Sequence, residues 1–345
     1  VDTTQLDNVS GITQTNPADT DIFGVQELAW QPDLPANYPQ SNPYLAYIAD
    51  DDDEPEEFEL YTVELNLGGT WDKNSLSDND DTGNDVLEGF KWHPESEYIA
   101  YRVELTPGAL DHIALYTVEP NGDNNARMSA DNYAAGQWVR DDFEWAPGLA
   151  LFLGYRANER NSNFTELFWA AKNGTGTGGI KVNQLDENIS SFQWAPGGVI
   201  PSFVYDYIAY RAGDRLKTRP YLGEGGSDDE TVISNSVGNF YEGAPLFEGS
   251  DADNTADWEV TTTTVIAFTS GGNLYTASPI GANQVMVSGV DPNEGNVESA
   301  QWSVEARSLV YLAEDNADNA DALYAAQADQ SPGAKISGDE TVCNA

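Results

Sequence analysis

Four runs of Asp, Glu and Asn are the part of this sequence best suited to bind an ion; they lie at residues 49–59, 77–85, 250–258 and 313–321. Calcium takes about six to eight oxygen ligands, which closely spaced acidic side chains on a turn can supply. Regular spacing singles out two groups of aspartates: Asp251, Asp253 and Asp257, which together with Thr255 are spaced two apart, and Asp315, Asp318 and Asp321, which are spaced three apart. We predict these six as calcium ligands; the competing interpretation is that they belong to solvated turns.

The run at 77–85 begins like an EF-hand loop. Asp78, Asp80 and Gly83 fit the first half of that motif. The last position of the loop requires a glutamate that binds calcium through both carboxylate oxygens, and this chain has Gly89 there. The flanking residues also lack helical periodicity. The sequence therefore excludes an EF-hand.

Catalytic chemistry has little support in the sequence. A Ser-His-Asp triad needs a histidine base, and His93 and His112 are the two histidines. His93 stands in a turn where sister repeats have Ala or Gln, and His112 follows an Asp in a predicted hairpin. The chain has no G-x-S-x-G elbow, and its carboxylates are too numerous to single out a glycosidase pair. We predict no enzyme activity, no catalytic residue and no cofactor other than calcium.

Four N-glycosylation sequons are candidate modification sites: Asn8, Asn163, Asn173 and Asn188. Each has the form Asn-x-Ser or Asn-x-Thr, which is modified on the surface of secreted proteins. In a chain this rich in Asn, Ser and Thr, chance is the competing explanation.

The charge composition restricts the partners. The 345 residues include 58 Asp and Glu against 15 Lys and Arg, a formal net charge of −43. Binding nucleic acid needs clustered cations that replace the counterions of phosphates, so we expect no nucleic-acid partner. No apolar run is long enough to span a bilayer, so we expect no membrane insertion. We interpret most of the acidity as a solubility device suited to saline surroundings.

Both ends of the sequence bear on its cellular compartment. Cys343 is the only cysteine, so the chain forms no internal disulfide and no cysteine-based metal site. The first residue is Val1, as expected for a product whose leader has been removed. We therefore expect an exported protein, either periplasmic or extracellular.

One pattern of short segments recurs along the chain. Each copy opens with a tryptophan: Trp30, Trp92, Trp145, Trp194, Trp258 and Trp302. An apolar segment with an aromatic follows, as in IAYRVE at 99 and LVYLAE at 309. A third segment carries an apolar–aromatic pair, such as Leu115-Tyr116, and in the fourth copy we place it around Tyr221. The last segment ends in Ser or Asn, as in ARMS at 126.

These segments predict an all-β fold. They are rich in β-branched and aromatic residues and are separated by Gly, Pro, Asn and Asp. Four antiparallel strands repeated six times predict a six-bladed β-propeller over residues 25–345, with the tryptophans packed between blades. The predicted blades are approximately 25–78, 86–130, 141–184, 190–235, 256–289 and 298–338.

The pattern W-x-P-[DEG] followed by IAY and LY resembles the TolB-like six-bladed propellers, which also occur as domains of some serine peptidases. The resemblance covers about residues 25–340, and the copies at Trp30, Trp92, Trp145 and Trp194 keep the proline. It implies the fold and leaves the activity open, because one fold hosts many functions. No hydrolase domain follows the repeats in this sequence.

Residues 1–24 precede the first copy and form a predicted N-terminal arm. The arm covers an edge strand of its own chain, extends the sheet of a neighbouring subunit, or is disordered. The first functional hypothesis is a non-catalytic scaffold that binds another protein. The second is an extracellular structural subunit, of filament or surface-layer type, that assembles with its own copies through the arm. The third is a propeller that binds or acts on carbohydrate.

Overall fold

The computed structural model describes the following residues: 24–32, 43–50, 58–65, 71–77, 84–94, 97–105, 112–130, 137–146, 152–159, 163–172, 174, 178–194, 207–220, 230–237, 240–241, 245–246, 263–264, 266–278, 281–289, 294–303, 308–316, 320–327 and 333–337. The chain divides into two compact units, Val1–Asp186 and Glu187–Ala345.

The first unit contains three sheets in which consecutive strands pair antiparallel. The first sheet is β1 (Val25–Trp30), β2 (Tyr44–Asp50), β3 (Phe58–Leu65) and β4 (Trp71–Ser75). The second is β5 (Asp85–Trp92), β6 (Ile99–Glu104), β7 (His112–Val118) and β8 (Ala126–Arg127), with β9 (Gln137–Trp138) added parallel to β7. The third is β10 (Glu144–Trp145), β11 (Phe152–Ala157), β12 (Glu166–Ala171) and β13 (Ile180–Lys181).

The second unit repeats this arrangement. The fourth sheet is β14 (Ile189–Trp194), β15 (Tyr207–Ala212), β16 (Arg215–Pro220) and β17 (Thr231–Ser234). The fifth is β18 (Phe240–Tyr241), β21 (Ile266–Ser270), β22 (Asn273–Ala277) and β23 (Val285–Met286), beside a two-stranded pair of β19 (Pro245–Leu246) and β20 (Thr263–Thr264). The sixth is β24 (Glu294–Ser303), β25 (Ser308–Asp315), β26 (Ala320–Gln327) and β27 (Ala334–Lys335).

The predicted all-β fold of four-stranded antiparallel sheets is confirmed. The second strand of most sheets is buried on both faces, as in β2 and β6, which explains why these strands read as apolar runs without alternation. Within the described ranges no residue is helical, and no helix there has the length and apolarity to cross a bilayer.

Stacked aromatic rings hold the second and third strands together in five sheets. Tyr101 and Tyr116 are paired across β6 and β7, and their ring centroids lie 5.7 Å apart. The equivalent stacked pairs are Tyr47–Tyr61, Tyr155–Phe168, Phe268–Tyr275 and Tyr311–Tyr324. This pairing is the structural reason for the recurring IAY and LY segments, because cross-strand aromatic pairs stabilise a sheet.

A side chain after the fourth strand completes each of the same five sheets. The Ser129 hydroxyl accepts a hydrogen bond from the buried Leu115 amide, at 3.1 Å. The equivalent donors and acceptors are Leu60 to Ser77, Leu167 to Asn183, Leu274 to Ser288 and Leu323 to Ser337. The recurring terminal Ser or Asn therefore satisfies a backbone donor that would otherwise be buried without an acceptor.

Neighbouring sheets are joined by apolar clusters and by tryptophan. Trp92 donates its indole N–H to the Ala29 carbonyl of the first sheet, and Trp145 donates to the Lys91 carbonyl of the second. The prediction that the tryptophans pack between sheets holds for these two. Trp30 is 52% exposed.

Two repeats differ from the prediction. The first strand of the fifth sheet is β18, whose Phe240 pairs with Phe268 as Phe192 pairs with Tyr210. The segment around Trp258, which the sequence predicts as that strand, lies outside the described residues. In the fourth sheet the third strand is β16, and Lys217 pairs with Tyr210 where other sheets have an aromatic. Placing this strand around Tyr221 was therefore wrong.

Candidate functional site

The predicted calcium ligands do not come together in the described part of the chain. Asp251, Asp253, Asp257 and Asp318 lie outside the described residues. Asp315 is buried at the end of β25, and its carboxylate accepts from the Lys335 ammonium at 2.6 Å. Asp321 lies on β26 opposite Glu314. No group of three His, Cys, Asp or Glu within the described ranges is placed to hold a metal ion.

Two of the four sequons lie within the described residues, and both asparagines are exposed. Asn163 lies in the connection between β11 and β12, and Asn188 precedes β14. Asn8 and Asn173 lie outside the described residues. Exposure is a condition for glycosylation, so Asn163 and Asn188 stay candidate sites.

The two histidines have different surroundings. His93 is fully buried after β5, and its ring packs edge-on against Trp145 with centroids 5.0 Å apart. His112 opens β7 and is half-buried. The His93 backbone amide donates to the Tyr98 carbonyl at 2.8 Å, which fixes the turn that carries it. His93 therefore belongs to the packing between the second and third sheets.

A buried ionic cluster replaces the aromatic stack in the fourth sheet. The Lys217 ammonium is fully buried and lies 2.5 Å from Glu187 and 2.6 Å from Glu230. Tyr210 donates its hydroxyl to Glu230, and Arg215 is ion-paired to Glu187. Burial, followed by the hydrogen bond to Glu230, raises the pKa of Tyr210. Every charge in this cluster has a partner, so it is a structural replacement for the stacked pair.

Among the described residues, the connection between the second and third sheets alone adds a strand parallel to a four-stranded sheet. It forms the extra strand β9 and places Trp138 and Arg140 two residues apart, so their side chains lie on the same side of the extended chain. The Arg140 guanidinium carbon lies 3.5 Å from the centre of the Trp138 ring. This distance allows a cation–π interaction. We call Trp138 and Arg140 the Trp–Arg platform.

Backbone hydrogen bonds fix the platform from both sides. The Val139 amide donates to Ile113 of β7 at 3.0 Å, and the Arg140 amide donates to Arg156 of β11 at 2.9 Å. The Trp138 amide donates to the Asn158 side-chain oxygen at 2.6 Å. Val139 itself is fully buried in the apolar cluster of the second and third sheets. The platform is therefore a rigid wedge between two sheets.

Three arginines and two aspartates determine the charge around the platform. Arg156 is ion-paired to Asp142, and Arg102 donates to the Glu88 carbonyl. Burial and then the Arg156 charge lower the pKa of Arg140, while Asp142 and Asp141 act in the opposite direction. Arg140 forms no ion pair with any residue in the described part of the chain. The Arg140 side chain is half-buried, and its Nε is buried without a hydrogen-bond partner among the described residues.

Sequence reasoning missed this site for an identifiable reason. Trp138 does not belong to the tryptophan series that opens the repeats, and Arg140 is one of only 15 cations in the chain. A Trp-x-Arg segment in a connection between repeats was the available signal. It could not show that Asp142 would be paired to Arg156 and not to Arg140.

Comparison with solved structures finds similar proteins that include β-propellers. A prolyl endopeptidase structure covers 88% of this chain and 42% of its own length, at 12% identity and a TM-score of 0.45. A protein described as TolB from Agrobacterium tumefaciens covers 76% of this chain and 83% of its own length, at 12% identity and a TM-score of 0.36. The β-propeller domain of the Trilobed protease from Pyrococcus furiosus covers 82% of this chain and 78% of its own length, at 11% identity and a TM-score of 0.35.

The chain spans less than half the length of the prolyl endopeptidase with which it aligns. No protein-family model matches the sequence, and comparison with curated proteins also gives no match. Identities and TM-scores this low carry no information about activity or partners.

Proposed function

We propose that this protein is an exported, non-catalytic scaffold whose role is to bind another protein, and that its six four-stranded sheets are the blades of a β-propeller. The observation that carries the proposal is the Trp–Arg platform. It lies outside the repeat, is rigidly held, and presents a cation without an acidic partner within the described ranges.

Residue type and rigidity both favour protein binding at the platform. Tryptophan and arginine are the residues most enriched among those that dominate binding energy at protein interfaces. Arg140 is held over the Trp138 ring before any partner arrives. Binding therefore costs less conformational entropy than it would at a mobile arginine.

The non-catalytic part of the proposal is supported by the structural use of side chains that could do chemistry. His93 is buried against Trp145. The serines that follow the fourth strands, such as Ser129 and Ser288, accept hydrogen bonds from buried backbone amides. Side chains committed in this way are poorly placed to act as a base or a nucleophile.

Export and glycosylation belong to the same proposal, because sequons are modified only in secreted proteins. Asn163 and Asn188 are the exposed candidates. Intact-mass analysis of the protein in the periplasmic, extracellular and cytoplasmic fractions tests both parts. Recovery only from the cytoplasm would contradict export, and an unmodified mass would contradict glycosylation.

Site-specific photo-cross-linking tests the scaffold role. A benzophenone amino acid replaces the exposed Asp141 beside the platform, and the exposed Gln284 serves as the control position. We expect a single discrete protein adduct at position 141, none at 284, and loss of the adduct when Arg140→Ala is added. Equal adducts at both positions, or an adduct that survives Arg140→Ala, would refute binding at the platform. Adducts between copies of the chain would identify self-assembly.

A further inference from the structure

We propose that the Trp–Arg platform recognises an Asp- and Glu-rich segment of its partner protein, with the Arg140 guanidinium binding a carboxylate. This inference rests on the proposed function and specifies the chemistry of the partner.

Of the three arginines around the platform, only Arg156 has an ion pair in the described part of the chain, and Arg140 has none. Of the two aspartates that follow Arg140, Asp142 is ion-paired to Arg156. Asp141 is exposed and acts on Arg102 and Arg140 at longer range. Burial and the neighbouring Arg156 charge both disfavour the cationic form of Arg140. An added carboxylate would relieve both effects, because an opposite charge stabilises a partly buried ion.

The stacked geometry favours a carboxylate over a single point charge. A guanidinium can contact an aromatic ring through its face while its planar fork of N–H donors binds another group. That fork matches the two oxygens of a carboxylate, and such paired hydrogen bonds are stronger than those between neutral groups. The 3.5 Å separation shows that the Arg140 guanidinium already contacts the Trp138 ring before binding.

The net charge of −43 makes this a selective contact. Most of the surface repels an acidic segment, so binding depends on the few places where cations gather. Arg102, Arg140 and Arg156 are three of the 15 cations in the chain, and all three interact with Asp142. This gathering marks the platform as the place where an acidic partner can approach.

A polysaccharide of uronic acids carries the same carboxylate, but the platform favours a protein segment. Sugar-binding sites usually offer an open aromatic face to the sugar ring. Trp138 is covered by Arg140 and also packs against the apolar cluster of the second and third sheets. The indole therefore offers little free face, and the guanidinium edge is the group left for contact.

Fluorescence anisotropy with defined probes tests this inference. The acidic probe is a labelled peptide with the sequence of residues 49–59; its control has Asn for each Asp and Gln for each Glu. A polygalacturonate oligomer represents the sugar alternative. The proteins are the wild type, Arg140→Gln, Arg140→Lys and Arg211→Gln. Arg211→Gln removes one charge from a different sheet and controls for net charge.

We expect the wild type to prefer the acidic peptide over its amide control by about tenfold, the value of one charge-assisted contact. Arg140→Gln should remove this preference, Arg140→Lys should keep part of it, and Arg211→Gln should keep all of it. Equal binding of both peptides, equal losses in both Gln variants, or tighter binding of the polygalacturonate would overturn the inference. A cross-link at position 141 would still support protein binding in those cases, so the two failures are distinguishable.

Discussion

At the scale of single residues, Lys217 shows how one side chain is accommodated where the repeat requires an aromatic. Burying an ammonium group is costly unless its charge is paired and hydrogen-bonded. Glu187 and Glu230 meet both conditions from the segments flanking β14 and β17. The charges of the cluster therefore stabilise one another, and removing one of them leaves the others buried without a counter-charge.

We predict that Lys217→Met lowers the free energy of unfolding by about 3 kcal/mol, because it leaves Glu187 and Glu230 buried without their cation. Urea denaturation measures the change. Arg211→Gln in the same sheet is the control, since its ion pair with Asp214 is long and exposed and should contribute less than about 1 kcal/mol. Similar losses in the two variants would contradict the structural role of the cluster.

Tyr98 gives a pH-dependent prediction. Burial, followed by its hydrogen bond to Glu119, raises the pKa of Tyr98 from 10.0 to about 12. The folded protein therefore holds this proton more tightly than the unfolded chain. Its contribution to the free energy of unfolding is present below pH 10 and is lost as the pH rises to about 12.

Comparing Tyr98→Phe with the wild type isolates this contribution from those of the other tyrosines. Urea denaturation at neutral pH and across the window from 10 to about 12 should show a smaller alkaline loss of stability in Tyr98→Phe. The same loss in both proteins would mean that Tyr98 titrates alike in the folded and unfolded states.

Residue identities were less predictable from the sequence than the elements that carry them. Lys217 was missed because the repeat was searched for an apolar–aromatic pair, and Tyr221 was the nearest aromatic in the sequence. The Trp–Arg platform was missed because its function depends on Asp142 being paired to Arg156. Which charges form ion pairs depends on three-dimensional contacts and produces no periodic pattern in the sequence.

At the scale of strands and sheets, the recurring side-chain-to-backbone hydrogen bond is the feature that five sheets share. It closes the end of the fourth strand by giving the third strand's leucine amide an acceptor. Ser and Asn both supply an oxygen at the required place, which explains why either residue ends the segment.

We predict that Ser129→Ala lowers the free energy of unfolding by about 1–3 kcal/mol, because the Leu115 amide is buried and loses its side-chain acceptor. Ser75→Ala on the exposed side of β4 is the matched control and should change it by less than about 0.5 kcal/mol. Chemical denaturation of both variants checks the difference. A neutral Ser129→Ala would show that water or another group replaces the hydroxyl.

Strand content was predictable because short β-rich segments between turn residues determine it locally. The first strand of the fifth sheet was not, since Phe240 and Tyr241 lack the tryptophan used to find the repeats. Pairing of Phe240 with Phe268 identifies the strand, and pairing is a long-range property. A repeat that is recognised by one marker residue is therefore misplaced in a copy where another residue takes that position.

At the scale of the whole molecule, the charge of −43 decides which contacts are selective. An acidic surface of this size keeps the protein soluble and repels other acidic chains. Arg140 is an exception on such a surface, because it is a rigidly held cation and the adjacent Asp142 is ion-paired to Arg156. The proposed scaffold function depends on this difference in charge between Arg140 and the acidic surface more than on any property of the sheets.

The dissociation constant of the partner recovered by cross-linking at position 141 tests the central claim most directly. It should be measured for the wild type, Arg140→Gln and Arg211→Gln at low and high salt, since charge-based binding weakens as salt screens it. We predict that Arg140→Gln weakens binding by about tenfold and Arg211→Gln by less than about twofold. Equal effects of the two variants would contradict the account, because they would show that net charge and not the platform governs binding.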